Sequence, residues 1–148
     1  MTARILLVED SATDEKLTLL AFKNCGVPND LVVVRDGAAA LDYLFATGSH
    51  AGRDAAALPK VVLLDLKLPK VDGLDVLRRV RADGRTKHLP VVILTASRQV
   101  DDIATSYQLG ANAYVRKPLA FTEFADAVKT LGRFWLVSNE SPPDGGAW

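Results

Sequence analysis

With one cysteine in 148 residues, Cys25, the chain cannot form an intramolecular disulfide. It also lacks an excess of charge of either sign. Lys plus Arg and Asp plus Glu stand at 18 each, so no net field draws it to nucleic acid or to an anionic membrane. No apolar stretch approaches the roughly 20 residues needed to cross a bilayer. The N-terminal apolar run breaks at Glu9, too early for a secretory signal. These absences point to the cytosol, with any membrane association requiring a partner. His50 and His88 fall in different connections without ligand spacing, so neither is expected to bind metal or relay phosphate. Cys25, near a helix end, reads as a small buried hydrophobe. Asn139-Glu140-Ser141 is a glycosylation sequon on paper, with nothing to route the chain through a secretory pathway. A chain of 148 residues fits one domain, large enough to bury roughly 70% of its unfolded surface.

Within that frame stand five short apolar runs, Ile5 to Val8, Leu31 to Val34, Val61 to Leu64, Val91 to Leu94 and Ala113 to Val115. All but the second end in a chemically able residue: Glu9 with Asp10, then Asp65, Thr95 and, after Arg116, Lys117. Stretches of helical character separate the runs. Ser11 to Cys25 reads as the first helix, with Leu17, Leu20, Ala21 and Asn24 on one face and Gly26-Val27-Pro28 as its stop. Asp36-Gly37 turns into a second helix carrying Ala40, Leu41, Leu44 and Phe45, ended by Gly48. The connection from Gly48 to Pro59 is longer than αβ units usually need. Gly73 to Ala82 supplies a third helix through Leu74, Leu77, Val80 and Arg81, and Val100 to Leu109 a weaker fourth. Phe121, Phe124, Val128, Leu131 and Trp135 mark a strong fifth. Val61 to Leu64 and Val91 to Leu94 lack alternation, the pattern of strands buried on both faces, and belong in the middle of a sheet.

Five βα units in tandem, joined by right-handed crossovers, predict an α/β fold with a doubly wound parallel sheet. In such a sheet the C-terminal strand ends share one edge, where ligands bind. Glu9, Asp10 and Asp65 would meet there. Three neighbouring carboxylates are unfavourable unless a cation or proton neutralises them. An all-oxygen set favours Mg²⁺, or Mn²⁺ in its place, over zinc. The Lys117 ammonium and the Thr95 hydroxyl at the same edge would bind a phosphoryl group, with Asp65 the nucleophile between them and the acidic pair.

At these residues the chain resembles the receiver domains of bacterial response regulators over about Arg4 to Leu136. Val8-Glu9-Asp10 matches the family's acidic pair, and Leu64-Asp65-Leu66-Lys67-Leu68-Pro69 with Asp72-Gly73 matches its phosphoacceptor and following loop. Leu94-Thr95-Ala96 and Lys117-Pro118 match the rest. The resemblance implies the flavodoxin-like (βα)5 fold with strand order 2-1-3-4-5 and a receiver domain over residues 1–137. Residues 138–148 would then be a Pro-, Gly- and Ser-rich tail with no separate output domain.

The resemblance also implies that Asp65 accepts a phosphoryl group from a sensor histidine kinase. Mg²⁺ would sit on Asp10, Asp65 and the backbone carbonyl of Lys67, with Glu9 reaching it through water. Such a protein catalyses its own aspartyl phosphorylation and dephosphorylation, yet acts mainly in signalling. Thr95 and Tyr114 would be the switch pair, the other reading of Tyr114 being an edge-strand aromatic with its hydroxyl in water. Lys67 and Ser97 would tune the phosphoryl lifetime. The Lys117-Pro118 bond is expected to be cis.

Within the family, the long 48–59 connection and the Arg133-Phe134-Trp135-Leu136 ending resemble the small response regulators that pair with bacterial phytochromes. Phe134, Leu136 and Val137 fall partly off the core-facing stripe of the fifth helix. A homodimer through the fourth and fifth helices and the fifth strand, using Phe134, Trp135 and Leu136, would cover them. The other reading is that the tail, Trp148 included, folds back over them. Three rival functions remain: a flavodoxin-like FMN module, an aspartyl phosphatase (which typically wants a second acid where Lys67 stands), and a phosphorylation-independent scaffold.

Overall fold

The computed structural model describes residues 2–143. Strands β1 (Ala3–Val8), β2 (Asn29–Val34), β3 (Val61–Leu64), β4 (Val91–Thr95) and β5 (Ala113–Arg116) alternate with helices α1 (Ala12–Lys23), α2 (Gly37–Phe45), α3 (Gly73–Ala82), α4 (Val100–Gln108) and α5 (Phe121–Arg133). The strands form one parallel sheet in the order β2-β1-β3-β4-β5, which is the expected topology. β3 lies at its centre, and every residue of β3 and β4 is buried, as their unbroken apolar runs require.

Alternation along the strands divides the core in two. Leu6, Val8, Val62, Leu64 and Ile93 face α2 and α3 on one side. Ile5, Leu7, Val61, Leu63, Val92 and Leu94 face α1 and α5 on the other. Side-chain caps start three of the helices: Ser11 accepts from the amide of Asp14, Asp36 from Ala39 and Asp72 from Asp75.

The buried face of α1 differs from the expected one. Leu20 is 57% exposed, and Thr18, Ala21 and Phe22 are buried instead, with Cys25 beyond them. Of the stripe expected at Leu17, Leu20, Ala21 and Asn24, Leu17 and Ala21 still pack against the core, and the face is rotated so that Thr18, Phe22 and Cys25 replace Leu20 and Asn24. In a segment as apolar as Leu17 to Phe22 several stripes are possible. The chosen one places the Phe22 ring against Gly132 of α5, where a Cβ would come within 3.0 Å of it.

The end of α5 also departs from expectation. After Arg133 the chain forms a π-helical turn, Phe134–Ser138, and its larger number of residues per turn brings both Trp135 and Leu136 into the core. Leu136 is therefore buried, and of the apolar residues expected off the stripe only Phe134 and Val137 face outward. Lys60 Nζ donates to the Leu136 carbonyl at 2.8 Å, and Arg133 Nε to that of Cys25 at 3.1 Å, tying this turn to the rest of the domain. Trp148, the suggested cover, lies outside the described residues.

The long 48–59 connection opens on a 3-10 turn at Gly48–His50 and is anchored to the end of α2 by Arg53. Arg53 donates to the carbonyls of Tyr43, Leu44, Asp54 and Ala57 and stacks 4.4 Å over the Tyr43 ring, while His50 meets that ring edge-on.

Gly73 opens α3 where backbone passes backbone. A Cβ there would lie 2.2 Å from the Asp65 carbonyl oxygen and 2.7 Å from the Leu66 Cα. Gly73→Ala should therefore cost about 2 kcal/mol or more in urea denaturation. Gly52→Ala, with nothing within 4 Å of the added carbon, should stay within about 0.5 kcal/mol. Equal effects would show that the α3 start can move aside.

Candidate functional site

Strand register assembles the site. Val8 pairs with Leu64 and Leu64 with Ile93, which sets Glu9 beside Asp65 and brings Thr95 to the same edge. Thr95 pairs with Arg116, and the Lys117 amide then donates to the Thr95 carbonyl at 2.8 Å. Glu9, Asp65, Thr95 and Lys117 are all buried, while Asp10 stands exposed at the rim.

Both oxygens of Asp65 are engaged. Thr95 Oγ1 donates to Oδ1 at 2.8 Å, joined by the Lys67 amide at 3.3 Å. Lys117 Nζ donates to Oδ2 at 2.8 Å, to Glu9 Oε1 at 2.6 Å and to Asp14 Oδ2 at 2.9 Å. An ammonium has three N–H donors, so Lys117 is fully committed to three carboxylates. The second Glu9 oxygen accepts from the Ser11 amide at 3.2 Å.

Burial pushes the Glu9 carboxyl up to about 7, against the opposing pull of its hydrogen bond to Lys117. Burial alone would lower the Lys117 ammonium, but its hydrogen bonds to Asp65, Glu9 and Asp14 outweigh this and raise it. Glu9, Asp10 and Asp65 each offer an oxygen within 4.8 Å of the others. This all-oxygen donor set, with a desolvated carboxylate among it, fits a hard divalent cation.

A family model for the response regulator receiver domain matches residues 5–129. The chain belongs to this family, the receiver domains of two-component systems. It is 37% identical to the response regulator Rcp1 of Synechocystis sp. over 138 residues, covering 93% of this chain and 92% of that one. The crystal structure of the phosphorylated cyanobacterial phytochrome response regulator RcpA superposes with a TM-score of 0.90 at 38% identity, covering 97% of this chain and all of that one. The bacteriophytochrome response regulator RtBRR is 50% identical with a TM-score of 0.76, covering 99% of this chain and 87% of that one.

In this receiver domain the loop after β4 carries a second small network. Ser97 Oγ donates to Asp102 Oδ2 of α4 at 2.5 Å, and the Tyr114 hydroxyl donates to the Ser97 carbonyl at 2.9 Å. The Tyr114 ring packs on the α2–α3 side of the core, and burial raises its hydroxyl pKa. Its hydroxyl is thus bonded to protein, unlike the edge-strand reading. Lys67 is exposed, beside an open groove lined by Asp10, Leu68, Pro69, Asp72 and Asp102.

One expectation needs correction. No cis peptide bond occurs among the described residues, so Lys117-Pro118 is trans, and Lys117 reaches the carboxylates without the other isomer. Two site residues escaped the sequence reading, Asp14 and Asp102. Asp14 could have been found from its place three residues after the N-cap Ser11, which returns it over the end of β1. Asp102 carries no comparable sequence signal.

Glu9 gives the fold a pH signature. Its carboxyl titrates near 4.5 in the ordinary state and at about 7 when folded, so the folded chain holds an extra proton between those values. The stability this group contributes is present below about pH 4.5 and is lost as pH rises through about 7. Without divalent ions, the fall in urea midpoint from about pH 5 to about pH 8 should be smaller in Glu9→Gln than in the wild type. Equal falls would assign the titration to another group.

Proposed function

We propose that Asp65 is the phosphoacceptor of this receiver domain and that its donor is a phosphohistidine on a sensor histidine kinase. The observation that carries this reading is the clamp on Asp65, one oxygen on Thr95 and the Lys67 amide, the other on Lys117. The clamp orients the carboxylate as a nucleophile. An Asp65 oxygen attacks phosphorus, the N–P bond breaks, and the histidine leaves with the electron pair and takes a proton. Thr95 and Lys117 then have donors for the phosphoryl oxygens, where negative charge gathers. Attack of water on phosphorus then breaks the bond between the Asp65 oxygen and phosphorus, releasing inorganic phosphate and restoring the carboxylate.

Glu9, Asp10, Asp65 and the Lys67 carbonyl would hold Mg²⁺, with Mn²⁺ able to substitute, and the ion would neutralise charge on the transferred group. A related regulator, Rcp1, has a crystal structure in a Mn²⁺-bound form.

The switch we assign to Thr95 and Tyr114. When Thr95 turns to the phosphoryl group, the Tyr114 ring moves further inward and the Ser97-to-Asp102 contact carries the change to α4. Lys67 and Ser97, flanking the acceptor, set access of water and so the phosphoryl lifetime. The kinase we take to be of the bacterial phytochrome kind, on the strength of the phytochrome response regulators RcpA and RtBRR. The receiver spans residues 1–137 and works in the cytoplasm, its output passing to another protein. A homodimer covers Phe134, which is 48% exposed, and Val137 beside it. Of the three residues expected at that contact, Trp135 and Leu136 are instead buried in the core, which leaves Phe134 to take part.

Intact mass after exposure to acetyl phosphate tests the central claim. One phosphoryl adduct is expected with Mg²⁺, none with EDTA and none in Asp65→Asn. Thr95→Ala should slow the reaction by about tenfold to a hundredfold, the worth of a hydrogen bond to a charged oxygen. An adduct that persists in Asp65→Asn would move the acceptor elsewhere. For the dimer, light scattering should show Phe134→Glu shifting the wild-type particle to a monomer. A wild type that is monomeric at every concentration would end that assignment.

A further inference from the structure

We propose that Asp14 is the releasable partner of Lys117, a positioning residue that occupies the ammonium donor later given to the phosphoryl group. The inference rests on Asp65 being the phosphoacceptor. Lys117 spends its three donors on Glu9, Asp65 and Asp14 in the resting state, so none is free for an incoming phosphoryl oxygen. One bond must be surrendered.

The three acceptors are not equal. The Glu9 side chain is 2% exposed and that of Asp65 9%, against 28% for Asp14. Stripping the donor from Glu9 would leave a buried oxygen unpaired, a penalty Asp14 avoids because water reaches it. Asp65 is the group being modified. Asp14 therefore yields.

Its placement suits this role. Asp14 lies in the first turn of α1, and its backbone serves the helix through other atoms: its amide donates to Ser11 Oγ, and its carbonyl accepts from Thr18 Oγ1. The carboxylate has Lys117 as its hydrogen-bonding partner. Removing that carboxylate leaves the cap and the helix hydrogen bonds in place. It also leaves Lys117 held by Glu9 and Asp65, with one donor turned toward the rim.

Two measurements test this on the full chain. First, the rate of phosphorylation by acetyl phosphate with Mg²⁺ is compared in the wild type, Asp14→Ala and Glu15→Ala, alanine being chosen because the amide of an asparagine could still accept from Lys117. The Glu15 control removes the same charge one residue away, where it pairs with Arg35 at 3.0 Å rather than with Lys117. Asp14→Ala should react about threefold faster or more, the scale of one hydrogen bond released, with Glu15→Ala within about twofold of wild type. An unchanged or slower Asp14→Ala, or an equal acceleration in Glu15→Ala, overturns the proposal. Second, NMR reads exchange of the Lys117 ammonium protons with water in the metal-free protein. Faster exchange in Asp14→Ala is expected, and an unchanged rate overturns the proposal whatever the phosphorylation data show. A wild type that never takes up phosphoryl would instead remove Asp65 as acceptor, leaving the exchange measurement to judge the contact between Asp14 and Lys117 separately.

Discussion

A single ammonium makes this edge of the sheet tenable. Lys117 is buried among Glu9, Asp65 and Asp14, and without it the two most enclosed carboxylates would face each other in a medium that screens charge poorly. The raised pKa of Glu9 shows that even one cation does not fully offset burial. The site is thus a charge balance left incomplete, with room for a further cation at the oxygens of Glu9, Asp10 and Asp65. Beside that place for positive charge, Asp65 is already held by three donors, Thr95, Lys117 and the Lys67 amide.

The sheet makes the balance possible because parallel strands bring their C-terminal ends to one side. Glu9, Asp65 and Thr95 stand at the C-terminal ends of β1, β3 and β4, whose bodies are mostly or fully buried, and the register of these strands leaves the three residues little freedom, while Lys117 follows the half-buried edge strand β5. Rigidity behind the site and exposure in front of it follow from the same topology. Ser97, in the loop after β4, ties two elements together, its hydroxyl donating to Asp102 of α4 and its carbonyl accepting from Tyr114 of β5.

Much of the fold was legible along the chain because strands buried on both faces read as unbroken apolar runs, and each is followed by a polar residue that cannot continue the core. Helix rotation was less legible. From Leu17 to Phe22 nearly every position is apolar or small, so periodicity could not choose between stripes, and the space left by Gly132 on α5 decided in favour of Phe22. The end of α5 failed for a different reason. A stripe projected at 3.6 residues per turn loses phase where the helix widens into a π turn, and Leu136 then lands inside.

The sequence by itself determined the fold class, the strand order through family resemblance, and the choice of Glu9, Asp10, Asp65, Thr95 and Lys117 as candidates, because each sits at or just past the C-terminal end of an apolar run. Only the tertiary structure decided how those groups share their hydrogen bonds. Lys117 lies 103 positions from Asp14, and no local pattern says which of several carboxylates a long flexible side chain will reach. The same holds for Ser97, whose bond to Asp102 depends on where α4 begins relative to β4. Chemistry at a strand end is a property of residue type and place. The pairing of charges across the edge depends on distances that exist only once the sheet and its helices have packed.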